Sequence, residues 1–277
     1  MGDIRKLYAV DFDGTLLRDD KTISKSSEQF IRNFQDQSNI LCFVTGRSYE
    51  NVKEYSHLLG HEGFIITNDG LRLFSSEGVL LHENENLYVC DITKITSMIP
   101  WFAYMMCFKD SREILVAKTR LSITYLMFLL KKIRKKKVCF YLLNDFKKEF
   151  KNISIDKVLV WSSNLKKDFH RISIGLKNEL QVFLLNDEKK IQIMSCKVNK
   201  LYEIRNLMSR LNISADEVFV FGNDRNDEMM LGYFVNSYAV QNSPNDIKTV
   251  SNYVIPSNNS DGVIQKLKEI RRIDNEG

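Results

Sequence analysis

The sequence predicts an α/β fold: a doubly wound parallel sheet interrupted by an inserted α+β domain. Three observations predict it. Through residue 82, short apolar runs ending in polar loops alternate with helix-patterned segments, as in a parallel sheet with crossover helices. The same alternation resumes from about residue 189. Between them, residues 83–188 break the alternation and hold 19 Lys and Arg against 12 Asp and Glu, a balance of +7. The remainder holds 21 against 23, a balance of −2, so the 277-residue chain carries +5.

Each element has a local reason. Residues 7–10, Leu-Tyr-Ala-Val, are an apolar run feeding the loop 11–15, as a buried strand does. Ser26, Ser27 and Glu28 open a helix whose Phe30, Ile31 and Phe34 share one face. Residues 40–44 are a second strand, stopping at Thr45-Gly46-Arg47. A helix through Val52, Tyr55, Leu58 and Leu59 leads to a third strand, 64–66. Residues 71–74 and 79–81 pair as a hairpin across a Gly-containing turn. Within 83–188, lone strands mix with long, Lys-rich helices. A helix from Lys197 to Leu211, a strand 218–221, two more strand–helix units and a helix 261–270 follow. They complete a Rossmann-like core of 1–82 and 189–277.

Composition narrows the function classes. Hydrophobic residues at 44% and charged residues at 27% exclude wholesale disorder. The longest apolar stretches, 101–108 and 121–130, fall short of the roughly 20 residues of a membrane-spanning helix, and 121–128 reads as core. The first six residues hold no apolar signal core, and Lys6 stands where myristoylation wants Ser or Thr, so a soluble, untargeted, cytoplasmic protein is expected. Five dispersed cysteines read as reduced thiols, mostly core filler. The basic run 131–137 reads as a solvated helix end, or as an electropositive surface that draws in anions.

In an open parallel sheet, function collects beyond the carboxyl ends of the strands. Asp11 and Asp13 lie two apart after the first strand, with Gly14 letting the loop turn sharply. Thr45 and Gly46 end the second strand, and Asn223, Asp224, Asn226 and Asp227 follow a later one. Oxygen donors without cysteine suit a hard cation such as Mg²⁺. The four histidines, His57, His61, His82 and His170, all lie elsewhere, which argues against zinc or a His-based triad. Singly, such Asp and Asn residues cap helices and make turns. Their joint occurrence at successive strand ends points to a site.

Asp11-Phe12-Asp13-Gly14-Thr15 resembles motif I, DxDGT, of the haloacid dehalogenase-like (HAD) superfamily. Val44-Thr45-Gly46-Arg47 resembles motif II, Lys200 sits where motif III has its lysine, and 222–227 resemble motif IV. Residues 259–263, Asn-Ser-Asp-Gly-Val, are similar to the closing segment of the Cof-type phosphatases, subclass IIB, whose insert is a C2-type cap. The resemblance implies a Mg²⁺-dependent phosphatase with Asp11 as nucleophile and Asp13 as general acid and base. It implies that Thr45, Gly46, Lys200 and Asn226 hold the phosphate. Mg²⁺ would bind Asp11, the main-chain carbonyl of Asp13 and a motif IV side chain. Motif IV departs from the usual GDxxND: Asn223 stands where the metal-binding Asp is expected and Asp224 follows, with Asp227 behind. Either Asn223 ligates through its amide oxygen, or Asp224 does after a one-residue shift. Lys197 is a rival to Lys200, because the glycine usual three residues before the motif III lysine is missing.

The implied substrate is a small phosphorylated metabolite, such as a sugar phosphate. No nucleic acid and no membrane partner is expected, and the chain is expected to be a monomer or a weak homodimer. A phosphomutase using the same nucleophile, and a nucleic-acid-binding protein on a degenerate scaffold with a basic insert, stand as alternatives.

Overall fold

The computed structural model describes residues 5–35, 39–110, 112–134, 137–177, 179–185 and 190–276. Met1–Glu83 and Asn199–Gly277 form one compact unit and Asn84–Val198 a second.

The first unit is built on an eight-stranded sheet. Its order is Tyr253–Ile255, Asn236–Val240, Val218–Gly222, Lys6–Asp11, Asn39–Val44, Phe64–Thr67, Arg72–Ser75, Leu80–Glu83. The first six strands run parallel, and the last two add an antiparallel hairpin at the edge. One face is covered by Lys25–Phe34, Tyr49–Leu58 and Gly262–Glu276, which bury Ile31, Phe34, Val52 and Leu267. Lys200–Leu211, Glu228–Tyr233 and Asn245–Val250 cover the other with Leu201, Ile204, Leu207, Met230 and Ile247. Burying each such side chain contributes about 1.5–3 kcal/mol, so both faces must be covered at once. The sheet is therefore doubly wound. Register sets Asp11 beside Val44 and Val10 beside Phe221, so three strands end level.

The second unit holds a six-stranded sheet ordered Leu180–Leu185, Lys190–Ser195, Lys157–Trp161, Tyr104–Lys109, Arg112–Ala117, Val138–Leu142. Three of its helices, Val89–Met98, Leu143–Glu149 and Leu165–Gly175, pack Ile92, Ile95, Phe146 and Ile172 into one core with the sheet.

Four expectations are revised. The cut between 188 and 189 lies outside the described residues, and the strand Lys190–Ser195, assigned to the core, pairs with Leu180–Leu185 and Lys157–Trp161 in the smaller unit. The helix expected from Lys197 starts at Lys200, because Asn199 caps it by accepting from the Tyr202 N–H at 2.9 Å. Residues 121–128 are not core: in the helix Ile123–Ile133 only Thr124 is buried, while Leu126, Leu129, Leu130 and Ile133 form an exposed stripe. Of the cysteines, Cys42 and Cys107 are buried, but Cys90, Cys139 and Cys196 are exposed. In the basic run, Lys131 pairs with Glu113, and Lys135 and Lys136 lie outside the described residues. Among the described residues no helix is long and apolar enough to cross a membrane.

Candidate active site

Asp11 is the last residue of the strand Lys6–Asp11, and its carboxylate is buried. Lys200, the first residue of its helix, extends a fully buried side chain whose Nζ donates to Asp11 Oδ1 and to Asp227 Oδ1, both at 2.7 Å. The other oxygen of Asp227 accepts from the main-chain N–H groups of Asn223 (2.9 Å) and Asp224 (3.1 Å). Asp227 thus spends both oxygens on organising the loop and anchoring the lysine. Gly222 is required beside it, since a Cβ there would lie 2.6 Å from the Cβ of Asp227.

Burial and the Asp227 charge push the Asp11 carboxyl up to about 7, against the pull of Lys200. Burial pushes the Lys200 ammonium down, but the carboxylates of Asp11, Asp227 and Asp69 outweigh it and hold it above the usual range. An unpaired charge here would cost several kcal/mol, which is why the cation and its two partners come as a set.

Asn223 and Asp224 take different directions. The Asn223 amide lies against the 11–15 loop: its Oδ1 accepts from Thr15 Oγ1 at 3.1 Å. A Cβ on Gly14, whose φ is +80°, would lie 2.5 Å from Asn223 Nδ2. The Asp224 carboxylate turns back on its own loop, capping Arg225–Asp227 and accepting from the Arg225 N–H at 2.7 Å.

Thr45 is buried, and its main chain is strapped to the next loop, accepting from the Asp69 N–H at 3.0 Å and donating to Ile66 at 2.9 Å. Gly46 faces Asp69, whose Oδ1 would lie 3.0 Å from a Cβ at that position. The same oxygen accepts from Asn226 Nδ2 at 2.8 Å. Lys197 belongs to the second unit, where its exposed side chain pairs with Glu85 at 3.2 Å.

The Asp13 carboxylate is held separately. Arg47 grips both of its oxygens, Nε to Oδ2 and Nη2 to Oδ1, each at 2.7 Å, and Lys21 Nζ adds a contact of 2.9 Å. Burial pushes this carboxyl up, but the hydrogen bonds from Arg47 and Lys21 prevail and hold it below the usual carboxylate value.

Hydrogen bonds therefore link Asp11, Thr15, Lys200, Asn223 and Asp227 into one cluster, and Asp69 joins Thr45, Gly46 and Asn226. Sequence reasoning missed Asp69, Arg47 and Lys21 as members. Asp69 carried a signal: Asn68, Asp69 and Gly70 take φ of 49°, 58° and 101°, and a run of residues that tolerate left-handed backbone closes the third strand. Among the described residues no three His, Cys, Asp or Glu side chains form a metal-binding group. The oxygen set expected for Mg²⁺, one carboxylate with a main-chain carbonyl and an amide, includes a single acidic side chain and suits a hard cation.

Residues 8–267 match the sequence profile of the haloacid dehalogenase-like hydrolases. Phosphatase YwpJ of Bacillus subtilis is 23% identical over 286 residues, covering 96% of this chain and 99% of that protein. HMP-PP phosphatase of Escherichia fergusonii is 26% identical over 259 residues, covering 86% and 85%. The fold is similar to that of the HAD subclass IIB sugar phosphatase BT4131, with a TM-score of 0.75 at 15% identity over 96% of this chain and 98% of that one. The chain belongs to the haloacid dehalogenase-like hydrolases, in their Cof-type branch.

Proposed function

We propose that this phosphatase hydrolyses small phosphorylated metabolites, sugar phosphates or similar, in a Mg²⁺-dependent reaction through an aspartyl-phosphate on Asp11. The observation that carries the reading is the buried Lys200 ammonium, shared between Asp11 and Asp227 at level strand ends. A carboxylate oxygen of Asp11 attacks phosphorus, and the ester oxygen leaves with a proton from Asp13. Asp13 then takes a proton from water, whose oxygen bonds to phosphorus and restores Asp11. Thr45, Gly46, Asn226 and Lys200 hold the phosphoryl oxygens, where positive charge and donors lower the barrier most. Mg²⁺, when bound, neutralises phosphoryl charge, and Asp11, the Asp13 carbonyl and the Asn223 amide would hold it with Asp227 fixing the loop. The placement of the Asn223 amide against the 11–15 loop, and of the Asp224 carboxylate on its own turn, supports Asn223 as the ligand.

The Asn84–Val198 unit selects the substrate in this reading, because every proposed reacting group lies outside it. A panel of phosphorylated metabolites, assayed for phosphate release with Mg²⁺ and with a chelator, tests the proposal. Release confined to the Mg²⁺ arm is expected. Relocation of the phosphoryl group within the substrate, activated by a bisphosphate and without free phosphate, would make the protein a mutase instead.

A further inference from the structure

We infer that Arg47, Lys21 and Tyr55 are positioning residues that hold the carboxyl of Asp13 where it meets the leaving-group oxygen. The inference rests on Asp13 acting as the proposed acid. Asp13 is part-exposed, on a loop that would let a lone side chain sample several rotamers. Its carboxylate is instead fixed in plane and direction by a two-point Arg47 fork, the geometry in which a guanidinium orients a carboxylate most strictly.

The fork is itself held. The Arg47 guanidinium lies over the Tyr55 ring at 5.0 Å and the Phe12 ring at 5.9 Å. The Tyr55 hydroxyl donates to the main-chain carbonyl of Lys21 at 3.2 Å, so one side chain braces both cations. Lys21 has φ +65° in a turn closed by hydrogen bonds between Arg18 and Thr22 (3.0 Å) and Lys21 and Arg18 (2.9 Å). Arg18 is tied in turn to Asp261 at 2.9 Å. A left-handed residue other than Gly, Asn or Asp costs about 1–3 kcal/mol, so an observed one motivates a functional hypothesis. Here the strained turn delivers an ammonium to Asp13.

The two contacts have different work. The single Lys21 contact, on a half-exposed side chain, is the one that can yield an oxygen to the substrate. The Arg47 fork keeps direction while it does. Misplacing a reacting group by about 1 Å can cost on the order of 10² in rate.

Kinetics on aryl phosphates of graded leaving group test this. Nitrophenolate departs without a proton, whereas phenolate needs one. Arg47→Lys, which keeps charge and loses the fork, should lose about tenfold or more in kcat/KM, which reports ester cleavage and not the later hydrolysis common to all substrates, with phenyl phosphate and less than about threefold with 4-nitrophenyl phosphate. Tyr55→Phe and Lys21→Ala should show the same pattern at smaller size. A loss equal for both substrates, or no loss, would overturn the inference. Lys21→Ala keeps the test open if Arg47→Lys fails to fold, which thermal melting reveals. Asp13→Asn on the same series separates the two levels: a flat loss there would mean that Asp13 is not the acid, and the proposed mechanism itself falls.

Discussion

Asp11 and Asp13 are two residues apart on one loop, yet their surroundings send them opposite ways. Asp11 is sealed from water, faces a second carboxylate, and shares one ammonium with it; its carboxyl is pushed up to about 7. Asp13 is part-exposed and meets two cations, Arg47 and Lys21, whose hydrogen bonds outweigh the effect of burial, so its carboxyl is held low. Environment separates identical side chains. In the proposed reaction the inner carboxyl must therefore give up its proton before it attacks, and the outer one must gain a proton before it acts as the acid.

The largest effects come from removing that distinction. Asp11→Asn keeps volume and is expected to abolish phosphate release with the fold intact, measured by turnover alongside circular dichroism. More than a few percent of residual activity would mean that another group attacks phosphorus.

Lys200→Met tests the buried side of the comparison. It leaves Asp11 and Asp227 without their shared cation, so denaturant unfolding should show a loss of about 3–5 kcal/mol besides the loss of turnover. Arg47→Met, on the exposed side, should cost about 1 kcal/mol or less. Equal losses would erase the contrast.

Next is the motif IV ligand. Asn223→Asp should tighten Mg²⁺ activation, since a carboxylate attracts the ion more strongly than an amide, while Asp224→Asn should change it little. The reverse pattern in Mg²⁺ titrations would assign the ligand to Asp224.

A further effect is in pH dependence. Without Mg²⁺, between 3.8 and about 7 the folded chain retains a proton on Asp11 that the unfolded chain releases, so stability from this group falls as pH rises through that window. Asp13 has the opposite sign: its stabilisation is present above the unfolded value of 3.8 and is lost as pH falls through the lower folded value. Unfolding curves of Asp11→Asn and Asp13→Asn against pH should each lack one slope, on opposite limbs. Parallel curves would show that the two carboxyls titrate alike.

The loops of the candidate site were legible because each follows a short apolar run, and burial on both faces leaves a strand little other composition. Lys200 was legible from its distance to the Gly222 loop, and its burial separates it from the exposed Lys197. What escaped reading depended on pairing across long separations. The strand Lys190–Ser195 looks like the start of the core, but Gln192 is buried in the smaller unit's sheet, and only partners at 158–160 and 180–185 decide that. The helix Ile123–Ile133 is apolar on two sides, and composition cannot tell which stripe finds a partner. Asp69 sits in an Asn-Asp-Gly sequence that reads as an ordinary turn, and Arg47 as the tail of a motif, until the loops converge.

The shared ammonium also has a consequence in time. Its two bonds join residues 189 and 27 positions apart in the chain, and the helix that starts at Lys200 is followed by the loop that supplies Asp227. During synthesis the lysine leaves the ribosome before its second anchor, which lies 27 positions further on. The proposed reacting centre is therefore assembled late, by a contact between residues 189 positions apart, the kind of contact that slows folding. A growing chain has Asp11 from the start but lacks the complete ion cluster until Asp227 arrives.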